Sequence, residues 1–259
     1  MDNQFKNIKF QIQDRVARIT FARPPLNVFN IAMMREIGDA LGECVPRRDL
    51  AAIVFAAAAD TRAFSAGVAV EEHVAATVFQ MLDAFHSIFR GLRQLAKPVI
   101  AVVDGSALGG GCELIAACDI VIASESARFG QPEIKLGVFP PVAAILLPRI
   151  IGEKRARELI LTGDLIDAAE ALKLGLVNYV LPSAELEGKT ESLLTKLREL
   201  SASSLAMTRA ALDLGGQSDF DAALVDVENL YLHELMKTAD AQEGSRAFMQ
   251  KRKPEWRNK

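Results

Sequence analysis

The feature that most constrains this chain is the alternation of short, apolar runs with helical patterns. Ile53-Val54-Phe55, Val99 to Val103, Ile120-Val121-Ile122 and Val177 to Leu181 are β-branched segments too short for helices, and their unbroken apolar character indicates buried strands. Strands of that kind separated by helices predict an α/β fold. Ahead of them, Ile8, Phe10 and Ile12 alternate with Lys9, Gln11 and Gln13, and Asp14-Arg15 interrupts before Val16 to Phe21, the pattern of a β-hairpin. Asp167 with Glu170 three residues on has the form of a capping box, and Gly175 supplies a stop before the strand at Val177. From Ser201 onward no strand pattern survives: Leu205 to Leu214, Phe220 to Met236 and Asp240 to Lys251 read as successive helices. The expected organisation is an α/β core over residues 1–200 and a helical region over 201–259, divided by a change of pattern without a linker, repeat or low-complexity tract.

With 259 residues, half of them hydrophobic, the chain can bury one large core. Its 30 Lys+Arg against 33 Asp+Glu leave a formal charge of −3, which gives no electrostatic case for nucleic acid or an anionic membrane surface. Cys44, Cys112 and Cys118 form neither an even disulfide set nor a paired metal-ligand pattern, as expected for a reducing, cytoplasmic setting. Met1-Asp2-Asn3-Gln4 lacks the basic start and apolar run of a targeting peptide, and charged residues interrupt every long hydrophobic stretch. Neither secretion nor membrane spanning is expected.

Three segments carry chemistry. Lys97 to Leu114 reads as a buried strand, a turn, then Gly109-Gly110-Gly111 opening a helix. The first amides of a helix lack internal partners and sit at the positive end of its dipole, so an oxyanion developing at Gly110 would be stabilised. The same glycines also suit a tight packing turn, and taken alone they do not separate the two readings. A second glycine turn, Phe64 to Ala69, follows the strand at Ile53 and can present the Val68 N–H to the same anion. Phe129 to Pro141 then places Glu133 after the Ile120 strand, downstream of Glu113. Two carboxylates can divide acid and base roles when burial holds one neutral and the other stays ionised, although a single Glu is more often a surface or ion-paired residue. Nucleotide chemistry is disfavoured. Ser183 stands where a phosphate loop ending in Gly188-Lys189-Thr190 needs its first glycine, and Leu108 to Glu113 misses the dinucleotide spacing.

Together these segments resemble the enoyl-CoA hydratase/isomerase (crotonase) superfamily over nearly the whole chain. Arg23 to Asn27, Phe64 to Val70, Lys97 to Asp119, Phe129 to Gly137, Leu161 to Asp164, Ala171 to Val177 and Glu243 to Trp256 recur in the family's order. The resemblance implies a crotonase-like spiral of ββα units whose C-terminal helices mediate assembly into a homotrimer or a dimer of trimers. It also implies an acyl-CoA partner in which coenzyme A is part of the substrate, with no cofactor and no metal required. The family's oxyanion-hole amides fall on Val68 and Gly110, and the two carboxylates of its hydratases on Glu113 and Glu133. Isomerases and decarboxylating or hydrolytic members often lack one of that pair, so its retention implies hydration, with Glu113 assisting water and Glu133 exchanging a proton with a substrate carbon. Δ-Isomerisation is the rival activity. A scaffolding or RNA-binding role fits poorly with an intact acidic pair.

The chain departs from typical members where a glycine-rich Pro-Gly-Ala-Gly-Gly is replaced by Pro140-Pro141-Val142-Ala143-Ala144. Pro141 has no N–H to offer a water. This stiffer rim, with Val70-Glu71-Glu72-His73 and Gly137-Val138-Phe139, is similar to the cyclohexa-1,5-diene-1-carbonyl-CoA hydratases of anaerobic aromatic degradation. The resemblance implies a flat cyclic dienoyl group bounded by Ala66, Val70, His73, Phe85, Phe89, Phe139 and Pro141, with general enoyl-CoA hydration open beside it.

Overall fold

The computed structural model describes residues 5–216 and 219–258, so the Met1–Gln4 reading lies outside the described residues. The expected hairpin forms β1 (Ile8–Gln13) and β2 (Val16–Phe21), paired antiparallel from Ile8↔Phe21 to Gln13↔Val16. Its two-residue turn puts both Asp14 and Arg15 at positive φ, 46° and 64°, the conformation whose twist matches that of the flanking strands. The chain continues through β3 (Ala52–Ala57), β4 (Ala63–Ser65), β5 (Val99–Val103), β6 (Ser106–Leu108), β7 (Ile120–Ser124), β8 (Arg128–Gly130), β9 (Leu165–Asp167) and β10 (Tyr179–Leu181). The helices are α1 (Ile31–Cys44), α2 (Val78–Leu95), α3 (Gly110–Ala116), α4 (Pro141–Ile151), α5 (Glu153–Thr162), α6 (Ala168–Leu174), α7 (Leu186–Arg198), α8 (Ala202–Gly215), α9 (Phe220–His233) and α10 (Ala239–Met249). Among the described residues, none of them is long and apolar enough to cross a membrane.

One sheet has the order β1-β2-β3-β5-β7-β10, parallel from β2 onward. Its central strands are buried on both faces, which is why their sequences are apolar throughout. Ile53, Phe55, Val99 and Ala101 face a large core with α1 and α2, while Val54, Ile100 and Ile122 pack on the other side against Leu186 and Leu194 of α7. The final strand begins at Tyr179 rather than Val177, because Leu176 and Val177 still close the end of α6 through the Ala171 carbonyl. At the start of α6, Asp167 caps the Glu170 N–H, but the Glu170 carboxylate pairs with Arg155 at 3.2 Å and does not complete the box.

A second sheet, β4-β6-β8-β9, was not expected from the sequence. Each of its strands has three residues, too few for any periodicity to register. Beneath it Phe21, Phe29 and Phe64 interlock edge to face at 5.1 Å, an arrangement that adds about 0.5–1.5 kcal/mol per pair to the burial of each ring.

The helices after Ser201 fold back on the core at a few polar anchors. Arg209 of α8 pairs with Asp119 at 2.8 Å, and Arg15 of the hairpin turn donates to Asn258 Oδ1 at 3.0 Å, while buried Asp240 accepts the Arg257 and Asn258 amides at 2.7 and 2.9 Å within the helical region. Their other faces carry large exposed apolar side chains, with Phe220 77% and Phe248 85% accessible.

Candidate active site

The small sheet determines where the three chemical segments meet. β4, β6 and β8 are neighbours and parallel, so the turns that follow them emerge at one edge. β4 leads into Gly67-Val68, β6 into Gly109-Gly110, and β8 into the 3-10 helix Pro132–Leu136 that bears Glu133. The first two turns touch: a Cβ on Gly67, whose φ is +100°, would lie 3.1 Å from the Leu108 carbonyl and 3.4 Å from the Gly110 nitrogen.

Both amides at that contact are available. Val68 forms a parallel bridge with Phe29, in which the Phe29 N–H donates to the Gly67 carbonyl at 2.8 Å and the Ala69 N–H to the Phe29 carbonyl at 2.9 Å. Those bonds use the residues on either side of Val68, so its own N–H points the opposite way. Gly110 is the first residue of α3, where helical amides have no internal partner. A side chain there is disfavoured, because a Cβ would sit 2.8 Å from Val68 Cγ2 and 3.0 Å from Phe85 Cζ, and one of them would have to move.

Glu113, one turn into α3, is only 3% exposed. Its Oε1 accepts the Val142 and Ala143 amides, both at 2.8 Å. These are the first N–H groups past Pro141 at the start of α4, so that helix end serves the carboxylate. Burial is nevertheless the largest influence and, with the nearby Glu133 charge, raises the Glu113 pKa to about 7 against the pull of the two amides. Glu133 lies over Gly109, where a Cβ would come within 2.6 Å of its Oε1, and burial raises its pKa to about 7 as well. Gln131 is fully buried beside Glu133, and the amide orientation that satisfies both groups would let its nitrogen donate to Oε2 and Oε1 at 3.2 and 3.3 Å. Both carboxyls are therefore held above the usual range, so near neutral pH one can carry a proton while the other is ionised.

Both face a cavity of about 330 Å³. Ala66, Val68, Val70, His73, Phe85, Phe139 and Pro141 line it with them, and Gly110 lies directly behind the Val68 and Phe85 walls. Phe89 does not: it stacks edge-on against Phe85 at 5.0 Å and faces a different cavity. Four residues on, it is about 6 Å further along the axis of α2, which has by then left the site. Phe139 is 68% exposed and forms the rim. The His73 Nδ1 lies 2.9 Å from the Ala69 carbonyl, which can only accept, so the proton is on Nδ1. Sequence reasoning missed Val78, Met81 and Leu82, which share the cavity wall with Phe85 at helical spacing, and it missed Gln131. The helical stripe through Phe85 was the available signal for the former; a buried glutamine beside a short strand gives none.

A sequence profile of the family described as Enoyl-CoA hydratase/isomerase matches residues 11–259. The chain is 38% identical to a probable enoyl-CoA hydratase, EchA8, of Mycobacterium bovis, over 97% of this chain and 98% of that protein. It is 36% identical to the cyclohexa-1,5-dienecarbonyl-CoA hydratase of Thauera aromatica, over 93% of each chain. Among solved structures, an enoyl-CoA hydratase from Bacillus anthracis matches with a TM-score of 0.91 at 32% identity, covering 98% of this chain and 100% of that one.

Proposed function

This chain belongs to the enoyl-CoA hydratase/isomerase family and is an enzyme of the enoyl-CoA hydratase type, and from that premise we propose that it adds water to a cyclic, conjugated dienoyl-CoA. The observation that carries the hydration chemistry is the pairing of two carboxylates, each with its pKa raised to about 7, on one cavity with the Val68 amide in its wall and the Gly110 amide directly behind it. The thioester carbonyl oxygen accepts the Val68 and Gly110 N–H groups. Glu113, whose charged form is favoured by two amide donors, takes a proton from water as the water oxygen bonds to the β-carbon. The electron pair moves to the thioester oxygen, where each amide contributes roughly 3 kcal/mol to holding the enolate. Protonated Glu133 then gives its proton to the γ-carbon of the dienolate formed from a cyclic diene, or to the α-carbon of a simple enolate, and the carbonyl re-forms. The pair ends with Glu113 protonated and Glu133 ionised, and exchange with solvent, Glu113 releasing its proton and Glu133 taking one up, restores the starting state, so the proposed cycle calls on no cofactor or metal.

The cyclic acyl group is supported by the stiff wall of Pro140 and Pro141 beside Phe139 and by the likeness to the Thauera enzyme. A linear enoyl-CoA is the second reading, favoured by the higher identity to the mycobacterial hydratase. A CoA-thioester panel followed by mass spectrometry separates them: the cyclic dienoyl-CoA is expected to exceed crotonyl-CoA by roughly tenfold to a few hundredfold in kcat/KM, the range that methylene-scale misfits produce. Equal efficiency with crotonyl-CoA selects the linear reading, and a product without added water selects isomerisation. The exposed Phe220, Val225, Leu232 and Phe248 of the C-terminal helices support assembly into a trimer or a dimer of trimers.

A further inference from the structure

A second cavity of about 500 Å³ lies beyond the first turn of α4, and the geometry points to Pro141 as the stop that divides it from the reaction cavity and limits the length of acyl group accepted. The inference rests on the acyl-CoA reading above. Pro141 lines both cavities. Beside it the partition is completed by one aromatic pair, with Phe85 on the reaction side and Phe89 on the far side, their rings 82° apart. The far cavity is floored by Leu92, Ala116, Val142 and Leu146. Its outer wall is charged, with Arg90, Arg93, Asp119, Arg149 and Arg209, and burial lowers the His86 pKa there, so the apolar floor next to Pro141 is the part that suits hydrocarbon.

Pro141 is not needed to hold Glu113. The amides that do so belong to Val142 and Ala143, and the first position of a helix requires no N–H of its own. What the proline ring supplies is bulk at the boundary. An acyl chain anchored at the Val68 and Gly110 amides and running past the carboxylates meets that ring before it can enter the second space. The occupant assigned to the far cavity is therefore the distal end of a linear acyl chain, admitted only when the ring is removed.

The test compares crotonyl-, octenoyl- and dodecenoyl-CoA with the wild type, Pro141→Ala and Pro141→Gly, reading the ratio of kcat/KM for dodecenoyl to crotonyl so that the fraction of active enzyme cancels. The wild type should reject the long substrate, and both variants should raise the ratio at least about tenfold. Adding Leu146→Trp to Pro141→Ala, which fills the far cavity, should return the ratio toward the wild-type value. An unchanged ratio in the Pro141 variants overturns the inference, as does a wild type that already handles dodecenoyl-CoA as well as crotonyl-CoA, a result that requires no variant to fold. A wild type that hydrates neither these thioesters nor the cyclic dienoyl-CoA removes the acyl-CoA reading itself, a distinct failure.

Discussion

Replacing Glu113 with Gln should make the protein more stable while removing most of its activity. In the folded state burial raises the Glu113 pKa from 4.5 to about 7. At about 1.36 kcal/mol per pH unit that interval amounts to about 3 kcal/mol by which ionised Glu113 destabilises the fold. The sign follows from proton binding. Below pH 4.5 both folded and unfolded chains hold the proton and there is no penalty; between 4.5 and 7 the unfolded chain releases it first, stability falls, and above 7 the penalty is complete. Glutamine never ionises, and its side-chain oxygen can still accept the Val142 and Ala143 amides, so it keeps the bonds without the buried charge. The variant should therefore unfold roughly 6–12 °C higher than the wild type at pH 8, taking about 2–4 °C per kcal/mol for a chain of this size. At pH 4.5 the two should melt together. Thermal unfolding at matched protein concentration across that pH range measures the difference, and hydration followed by loss of enoyl-thioester absorbance should fall at least about 100-fold. A variant less stable than the wild type at pH 8, or equally stabilised at both pH values, would refute the buried-charge argument; more than a tenth of wild-type turnover would refute the catalytic one.

The wild-type kcat/KM should be bell-shaped around pH 7, falling on the acid side as Glu113 takes up a proton and on the alkaline side as Glu133 loses one, with apparent values belonging to the pair. Glu133→Gln should cost about two orders of magnitude and abolish the alkaline limb; an unaltered profile would remove Glu133 from the proton transfer. Gly110→Ala keeps the amide but drives a Cβ to 2.8 Å from Val68 Cγ2, so it should lower kcat about 100-fold with a modest loss of stability, and wild-type kcat would contradict the placement of that amide. If the proposed trimer or hexamer forms through these faces, Phe220→Asp combined with Phe248→Asp should lower the mass seen in light scattering to that of a monomer; a monomeric wild type would refute the assembly, and an unchanged oligomer would place these rings outside its interface.

Sequence by itself determined the elements long enough to carry a period. The alternation of Ile8, Phe10 and Ile12 specified the hairpin, the apolar runs at Ile53, Val99 and Ile120 specified strands covered on both faces, and Asp167 set the start of α6. The glycines and glutamates of the site were visible as residue types, yet each had an ordinary structural reading. Tertiary structure decided what they do together. The strands that gather them, Ala63–Ser65, Ser106–Leu108 and Arg128–Gly130, have no pattern a local reading can detect, because their stability comes from lateral pairing such as Ala63↔Ser106 and Leu108↔Gly130. Phe89 shows the same limit from the other side, since helical spacing joins it to Phe85 while the path of α2 carries it away from the cavity. The chemistry of Glu113 was likewise set at a distance: its pKa is the balance between the burial of α3 and two amides about thirty positions along the chain, and neither influence exists until the fold brings them into contact.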